Sequence, residues 1–228
     1  MQNPYTQSPV NPLPPVVMLL VLAMVLVEAT FSLGARGLVG GPEAVGWRSA
    51  AIQEYGFSNR AFAWMFENGI FRADYALRLV TYPFVHGNFT HAIFAGVMTL
   101  ALGKFVGERL SQFAVVVLFF TSSILGAAAY GLILPEGPGL IGAFPGVYGL
   151  IGGFTCLLWL RLGEIGEQQI RAFTLIGFLL GLQLLFGLLF GGGPDWVADV
   201  AGFCAGFLVS FVLVPGGWGR LREKLQQR

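Results

Sequence analysis

Charge is what this sequence lacks. Only 11% of its 228 residues are Asp, Glu, Lys or Arg. A soluble domain carries about 25%. The chain cannot cover a water-facing surface, and a water-soluble enzyme is excluded. It also lacks an excess of either sign: 13 basic and 12 acidic residues leave a net charge of +1. No basic patch points to nucleic acid. Cysteine is scarce: Cys156 and Cys204 both lie inside apolar runs, so no disulfide framework stands behind the fold. Histidine is scarcer still in useful spacing. His86 and His91 are five apart, where a metal pair on one helix face wants three or four, and no third ligand is evident. No metal site and no cofactor is implied.

What is present is apolar residues at 55% and 33 glycines. Gly is commoner in membrane helices than in soluble ones. A bilayer-spanning helix needs about 20 mostly apolar residues. Six runs qualify: Val16 to Leu33, His91 to Val106, Phe113 to Leu134, Pro145 to Leu160, Ile170 to Phe190 and Trp196 to Val214. The fold class expected is all-α, polytopic, with six transmembrane helices. The first run is not read as a signal peptide. No Lys or Arg precedes it, and no small-residue cleavage site follows.

Charge orients the spans. Lys104 and Arg109, then Arg161 and Arg171, then Arg220, Arg222, Lys224 and Arg228 lie on one side. The connections between spans three and four and between five and six have no basic residue. The positive-inside rule places both termini in the cytoplasm. The long first loop, Gly34 to Val85, then lies outside. It is too long for plain coil. Its aromatic stretch, Phe57 to Phe71 with Trp64 and Phe66, suits amphipathic helices at the interface, or a loop packed on its own helices. Residues 1–15 are Pro-rich and polar and are expected to form a flexible cytoplasmic tail; residues 16–214 form the membrane domain; residues 215–228 form a basic cytoplasmic tail.

Gly142, Gly146, Gly149 and Gly153 recur at four, three and four residues. If one helix covers all of them, they form a stripe that admits a neighbouring helix to backbone contact. Gly202 and Gly206 do the same on the sixth span, which suggests a close fourth–sixth pair. Two acids fall inside spans, Glu28 and Asp199. Each costs about 2.5–3.5 kcal/mol at mid-membrane, so such residues face a bundle interior or serve function. Glu28 is read as reaching toward the outer interface.

Several motifs occur in order. Arg78-Leu-Val-Thr81-Tyr-Pro-Phe84-Val-His86 is followed by His91 at the head of a helix. Leu102-Gly103 and Glu108-Arg-Leu110 close the second span. Gly142-Ala-Phe144-Pro145-Gly146-Val147-Tyr148-Gly149 opens the fourth. Ala198-Asp199-Val-Ala-Gly202-Phe-Cys-Ala-Gly206 lies in the sixth. Together they resemble the rhomboid intramembrane serine proteases, over about Arg78 to Val214. The resemblance implies a six-helix bundle with a long external first loop. It also implies a serine endopeptidase family, with a Ser at the start of the fourth helix and a His on the sixth.

The departures fall on the chemistry. Leu77 replaces the family's Trp. Phe144 aligns with the nucleophile, Pro145 with the Gly that follows it, and Asp199 with the general base. The family's oxyanion-stabilising pair keeps His91 but has Ala95 at the Asn. His86, Pro145 and Tyr148 fall in the implied pocket. Phe has no nucleophilic atom, so the acyl-enzyme step cannot occur there. Pro145 suits a first helical turn but removes a backbone donor. Tyr148 is expected to hydrogen-bond Asp199. Ser122 and Ser123, on the third span, read as hydroxyls bonded to helix carbonyls.

Three functions follow as expectations. The first is a pseudoprotease that binds transmembrane segments of other proteins within the bilayer, through a face including Phe173, Phe178, Leu185 and Phe190. The second is an intramembrane serine-type endopeptidase using non-standard residues. The third is a transporter or channel built around Glu28 and Asp199. A bacterial inner membrane is the expected location.

Overall fold

The computed structural model describes residues 12–215. The side chains of Leu184, Phe186 and Phe190 lie outside that description, as do most of both tails. Among the described residues there are nine α-helices and no strand: α1 Pro15–Ala35, α2 Trp47–Tyr55, α3 Asn59–Asn68, α4 Ala73–Thr81, α5 Phe89–Arg109, α6 Gln112–Ile133, α7 Phe144–Glu164, α8 Thr174–Phe190 and α9 Trp196–Leu213. Six spanning segments are apolar and long enough to cross a bilayer: α1, α5, α6, α7, residues 169–189 including α8, and α9. These are the six expected from sequence, with ends shifted by up to four residues. The chain is an all-α integral membrane bundle.

Local chemistry sets the helix starts. The Asn88 side chain accepts from the His91 backbone N–H at 2.9 Å and caps α5. Ser111 accepts from Ala114 at 3.0 Å and caps α6. Each satisfies a backbone donor that has no partner within its helix. Pro15 and Pro145 occupy first turns, where a missing N–H does no harm.

The bundle is built around α7. Over its spanning window 56% of residues are buried, against 12% for the span containing α8. One face of α7 receives α9. A Cβ on Gly206 would strike the carbonyl of Gly149, one on Gly202 would strike that of Pro145, and one on Gly152 would strike the backbone at Phe203. The opposite face receives α6: a Cβ on Gly146 would meet Ser123 Oγ and Phe119, and one on Gly149 would meet Ser122. The expected four-glycine stripe is therefore corrected. Gly142 precedes the helix with φ +89° and belongs to a turn. Gly146 and Gly149 turn their Cα hydrogens to α6, although the Gly149 carbonyl lies against Gly206 of α9, and Gly153 sits between Leu118 of α6 and Ser210 of α9. Gly152, one residue off that register, makes the contact with α9. Successive helical residues are about 100° apart, so a change of one position changes the neighbour.

The first loop folds on the bundle. Phe57, Phe62 and Met65 pack with Tyr82, Tyr130, Leu140 and Ala198. Phe57 and Leu140 exchange backbone hydrogen bonds at 3.0 and 2.9 Å, and Asn59 donates to the Leu134 carbonyl at 2.6 Å. Trp64, Phe66 and Phe71 remain exposed. Thus the aromatic stretch packs on the bundle along one side and is exposed along the other.

Candidate functional site

A cavity of about 430 Å³ opens among α5, α7, α8 and α9. Its polar residues are His91, Tyr148, Gln183, Asp195 and Asp199, and Phe144 forms part of its wall. Each is placed by a helix end or a helix face. His91 sits in the first turn of α5 through the Asn88 cap. Phe144 opens α7, and Tyr148 follows one turn later on the same face. Asp199 lies in the first turn of α9, whose N-terminal backbone N–H groups favour nearby negative charge.

Phe144 lies flat on His91, with ring centroids 5.2 Å apart and an interplanar angle of 14°. His86 meets His91 edge-on at 5.0 Å and 86°. Gly142 packs so closely on His91 that a Cβ would come within 2.5 Å of its Nε2. The positive φ and this contact both require glycine there. Burial, with the neighbouring His91 next, pushes the His86 imidazole down to about 4.

Tyr148 and Asp199 are joined indirectly. The Tyr148 hydroxyl donates to Gln183 Oε1 at 3.0 Å, and Gln183 Nε2 donates to Asp199 Oδ2 at 2.9 Å. The expected direct Tyr148–Asp199 bond is replaced by this relay, because the Gln183 amide fills the gap between them. Ala95 is fully buried one turn below His91 and offers only a methyl group. Pro145 is also buried, with its carbonyl against Gly202.

Glu28 does not reach for the interface. It is 4% exposed and forms a two-pronged pair with Arg48: Nη1 to Oε2 and Nη2 to Oε1, both 2.8 Å. Ser32 donates to Oε1 at 2.6 Å. Arg48 Nη1 also donates to the His86 carbonyl at 2.7 Å. An arginine from the first loop enters the bundle and neutralises the acid. The same residue fixes the backbone leading into His91. Of the two serines, Ser123 bonds the Phe119 carbonyl at 2.8 Å as expected. Ser122 does not: its buried Oγ has no hydrogen-bond partner among the described residues, because it points at Gly149.

Phe173 packs on Phe203 and Phe207, whereas Phe178 and Leu185 face away from the bundle. Sequence reasoning missed Gln183, Arg48 and Asp195. Gln183 carried a legible signal, as the one polar side chain inside α8 after Thr174. Arg48 carried none, since its partner is 20 residues away across a loop. Among the described residues no cluster of three metal-binding side chains forms.

The family model described as Rhomboid domain matches residues 73–216. RHOMBOID-like protein 4 of Arabidopsis thaliana is 25% identical over 145 residues, covering 64% of this chain and 36% of the relative. A Bacillus subtilis (strain 168) protein named as a rhomboid protease is 25% identical over 138 residues, 60% of this chain and 67% of its own. Rhomboid-like protease 1 of Toxoplasma gondii is 26% identical over 135 residues, 59% and 46% of the two chains. The matched stretch thus spans less than half of the plant and Toxoplasma relatives. The matched segment begins at α4 and runs through α9, taking in the cavity and five of the six spans. This chain belongs to the rhomboid family.

Proposed function

We propose that this rhomboid-family membrane protein is a catalytically inactive member that binds transmembrane segments of other membrane proteins. The observation that carries the reading is the Phe144–His91 stack. Where the family resemblance puts a nucleophilic serine, a phenyl ring covers the histidine. A phenyl ring has no lone pair with which to attack a carbonyl. Among the described residues lining the cavity there is no Ser, Thr or Cys. The one hydroxyl, that of Tyr148, donates to an amide. Asp199, in the position of the base, holds the same amide instead of a nucleophile. Neither an acceptor for an acyl group nor a base poised on one is assembled.

Binding needs less. A cavity lined in part by the sparsely buried α8 suits a helix or an unwound segment. The membrane domain of residues 16–214 serves that purpose. The basic connections support an orientation with both termini in the cytoplasm, and the location proposed with it is a bacterial inner membrane. The tails themselves lie largely outside the described residues.

The test is incubation of the purified protein with a helix-destabilised transmembrane reporter and with a serine-directed fluorophosphonate. The expected result is no cleavage, no labelling and retention of the reporter on the protein. Phe144→Ala, which opens the cavity, should remain inactive. Steady cleavage by the unaltered chain overturns the proposal.

A further inference from the structure

The α8 helix is apolar with a single amide in its middle. A carboxamide in hydrocarbon has lost its water, so it is stable only where protein partners replace that water. Gln183 has two such partners. It donates to Asp199 Oδ2 at 2.9 Å and accepts from the Tyr148 hydroxyl at 3.0 Å. Both partners are buried, Asp199 at 3% and Tyr148 at 6% exposure. The cavity therefore presents one acceptor on α9 and one donor on α7, close enough for one carboxamide to satisfy both.

The helix carrying that amide is packed at its start and, among the described side chains, exposed beyond Gln183. Ala172 and Ile176 are buried and Leu175, Leu179 and Leu180 pack on the core, but the described leucines beyond Gln183, namely Leu185, Leu188 and Leu189, face away from the bundle. Gln183 thus sits in the cavity as an intramolecular ligand, at the point where the described side chains of α8 stop packing on the core.

We infer that the cavity is a carboxamide-recognition site. A transmembrane segment carrying Asn or Gln at the depth of Asp199 binds by taking over both hydrogen bonds from Gln183. The inference rests on the binding function proposed above and adds the chemistry of the ligand. Side-chain chemistry selects the class. A carboxamide has both a donor and an acceptor. An ammonium offers no acceptor to Tyr148. A carboxylate offers no donor to Asp199 and brings a second negative charge. A Ser or Thr hydroxyl in a helix tends to bond its own helix carbonyl. An aliphatic residue that displaced Gln183 would leave Asp199 and Tyr148 buried without partners, which is costly. Discrimination against a segment lacking the polar group follows from that asymmetry.

The test uses the unaltered full chain in phosphatidylcholine vesicles. Reporter peptides of about 20 Leu and Ala residues carry one Asn moved through successive depths, with an all-aliphatic control. Affinity is read by energy transfer. The expected result is a gain of about three- to fifteen-fold for Asn at one depth, the range that measured interhelical hydrogen bonds in membranes imply. The gain should vanish in Asp199→Leu. It should grow in Gln183→Leu, where the resident amide no longer competes. Equal affinity for Asn and aliphatic peptides at every depth overturns the inference and leaves the binding function standing. Absence of binding by any peptide overturns both. The comparison between peptides needs no variant, so a folding defect in one cannot obscure it.

Discussion

The α7–α9 pair and the α8 helix border the same cavity but are held by different physics. Across the α7–α9 interface, backbone meets backbone. Gly206 lies on the Gly149 carbonyl and Gly202 on the Pro145 carbonyl, with no room for one added carbon. On the α8 side, aliphatic side chains face lipid, and one amide reaches inward to Asp199 and Tyr148. In a membrane, lipid tails compete evenly with aliphatic side chains, so burying Leu there contributes little. Close backbone approach and hydrogen bonds are what remain. The α7–α9 pair uses the first at Gly149, Gly152, Gly202 and Gly206, and α8 adds the second at Gln183 to the packing of Leu175, Leu179 and Leu180 near its start. The site is therefore a rigid wall facing a lightly fastened one.

That contrast can be broken at its strong side first. Gly206→Val should cost at least about 4 kcal/mol, since the clash is with backbone and cannot be relieved by a rotamer change. Chemical unfolding in micelles would measure it, and a change below 1 kcal/mol would remove the basis for calling this interface close-packed. Next comes the loop clamp. Arg48→Met leaves Glu28 buried without its partner and should cost about 3 kcal/mol. Glu28→Gln combined with Arg48→Met should recover much of that loss. If the double variant is no more stable than the single one, the pair is not what the loss reports.

Acidity sharpens the same wall. The His86 imidazole, held neutral by burial down to about 4, has an ordinary value of 6.5. Between those values the unfolded chain binds the proton and the folded chain does not. The His86 contribution is therefore fully present above about 6.5 and is lost as pH falls toward about 4. His86→Gln should flatten that part of the stability profile.

Gln183→Leu probes the weak side. Its expected cost is about 0.6–1.7 kcal/mol, the scale of one membrane hydrogen bond. Amide exchange should quicken in α8 while α7 and α9 stay protected. Equal quickening in all three would mean that the two walls are not independent. The smallest effect is expected at Ser122→Ala. Removing a buried hydroxyl that has no partner among the described residues should be neutral or stabilising, within about 1 kcal/mol.

The spans and the family were legible from short-range features. Apolar runs such as Phe113 to Leu134 reveal themselves by length, and the family motifs stand in order along the chain. The glycine stripe was legible as close packing but not in its assignment. Which neighbour Gly149 or Gly152 meets depends on the rotation of α7 between α6 and α9, and the periodicity of one helix carries no such information. The Tyr148–Asp199 pair was anticipated as a contact between two residues. The third residue, Gln183, comes from a helix whose pattern shows only that it is apolar.

By itself the sequence determined the six spans and the family. Those follow from the cost of placing polar groups in hydrocarbon and from local motif order, both of which are readable along the chain. Only the tertiary structure decided that Glu28 is neutralised by Arg48 from the loop, that α7 presents two glycine faces, and that Gln183 stands between Tyr148 and Asp199. A buried polar group needs a partner, but composition and spacing do not say which distant residue supplies it. Helix rotation and packing choose among several candidates, and that choice exists only once the helices have met.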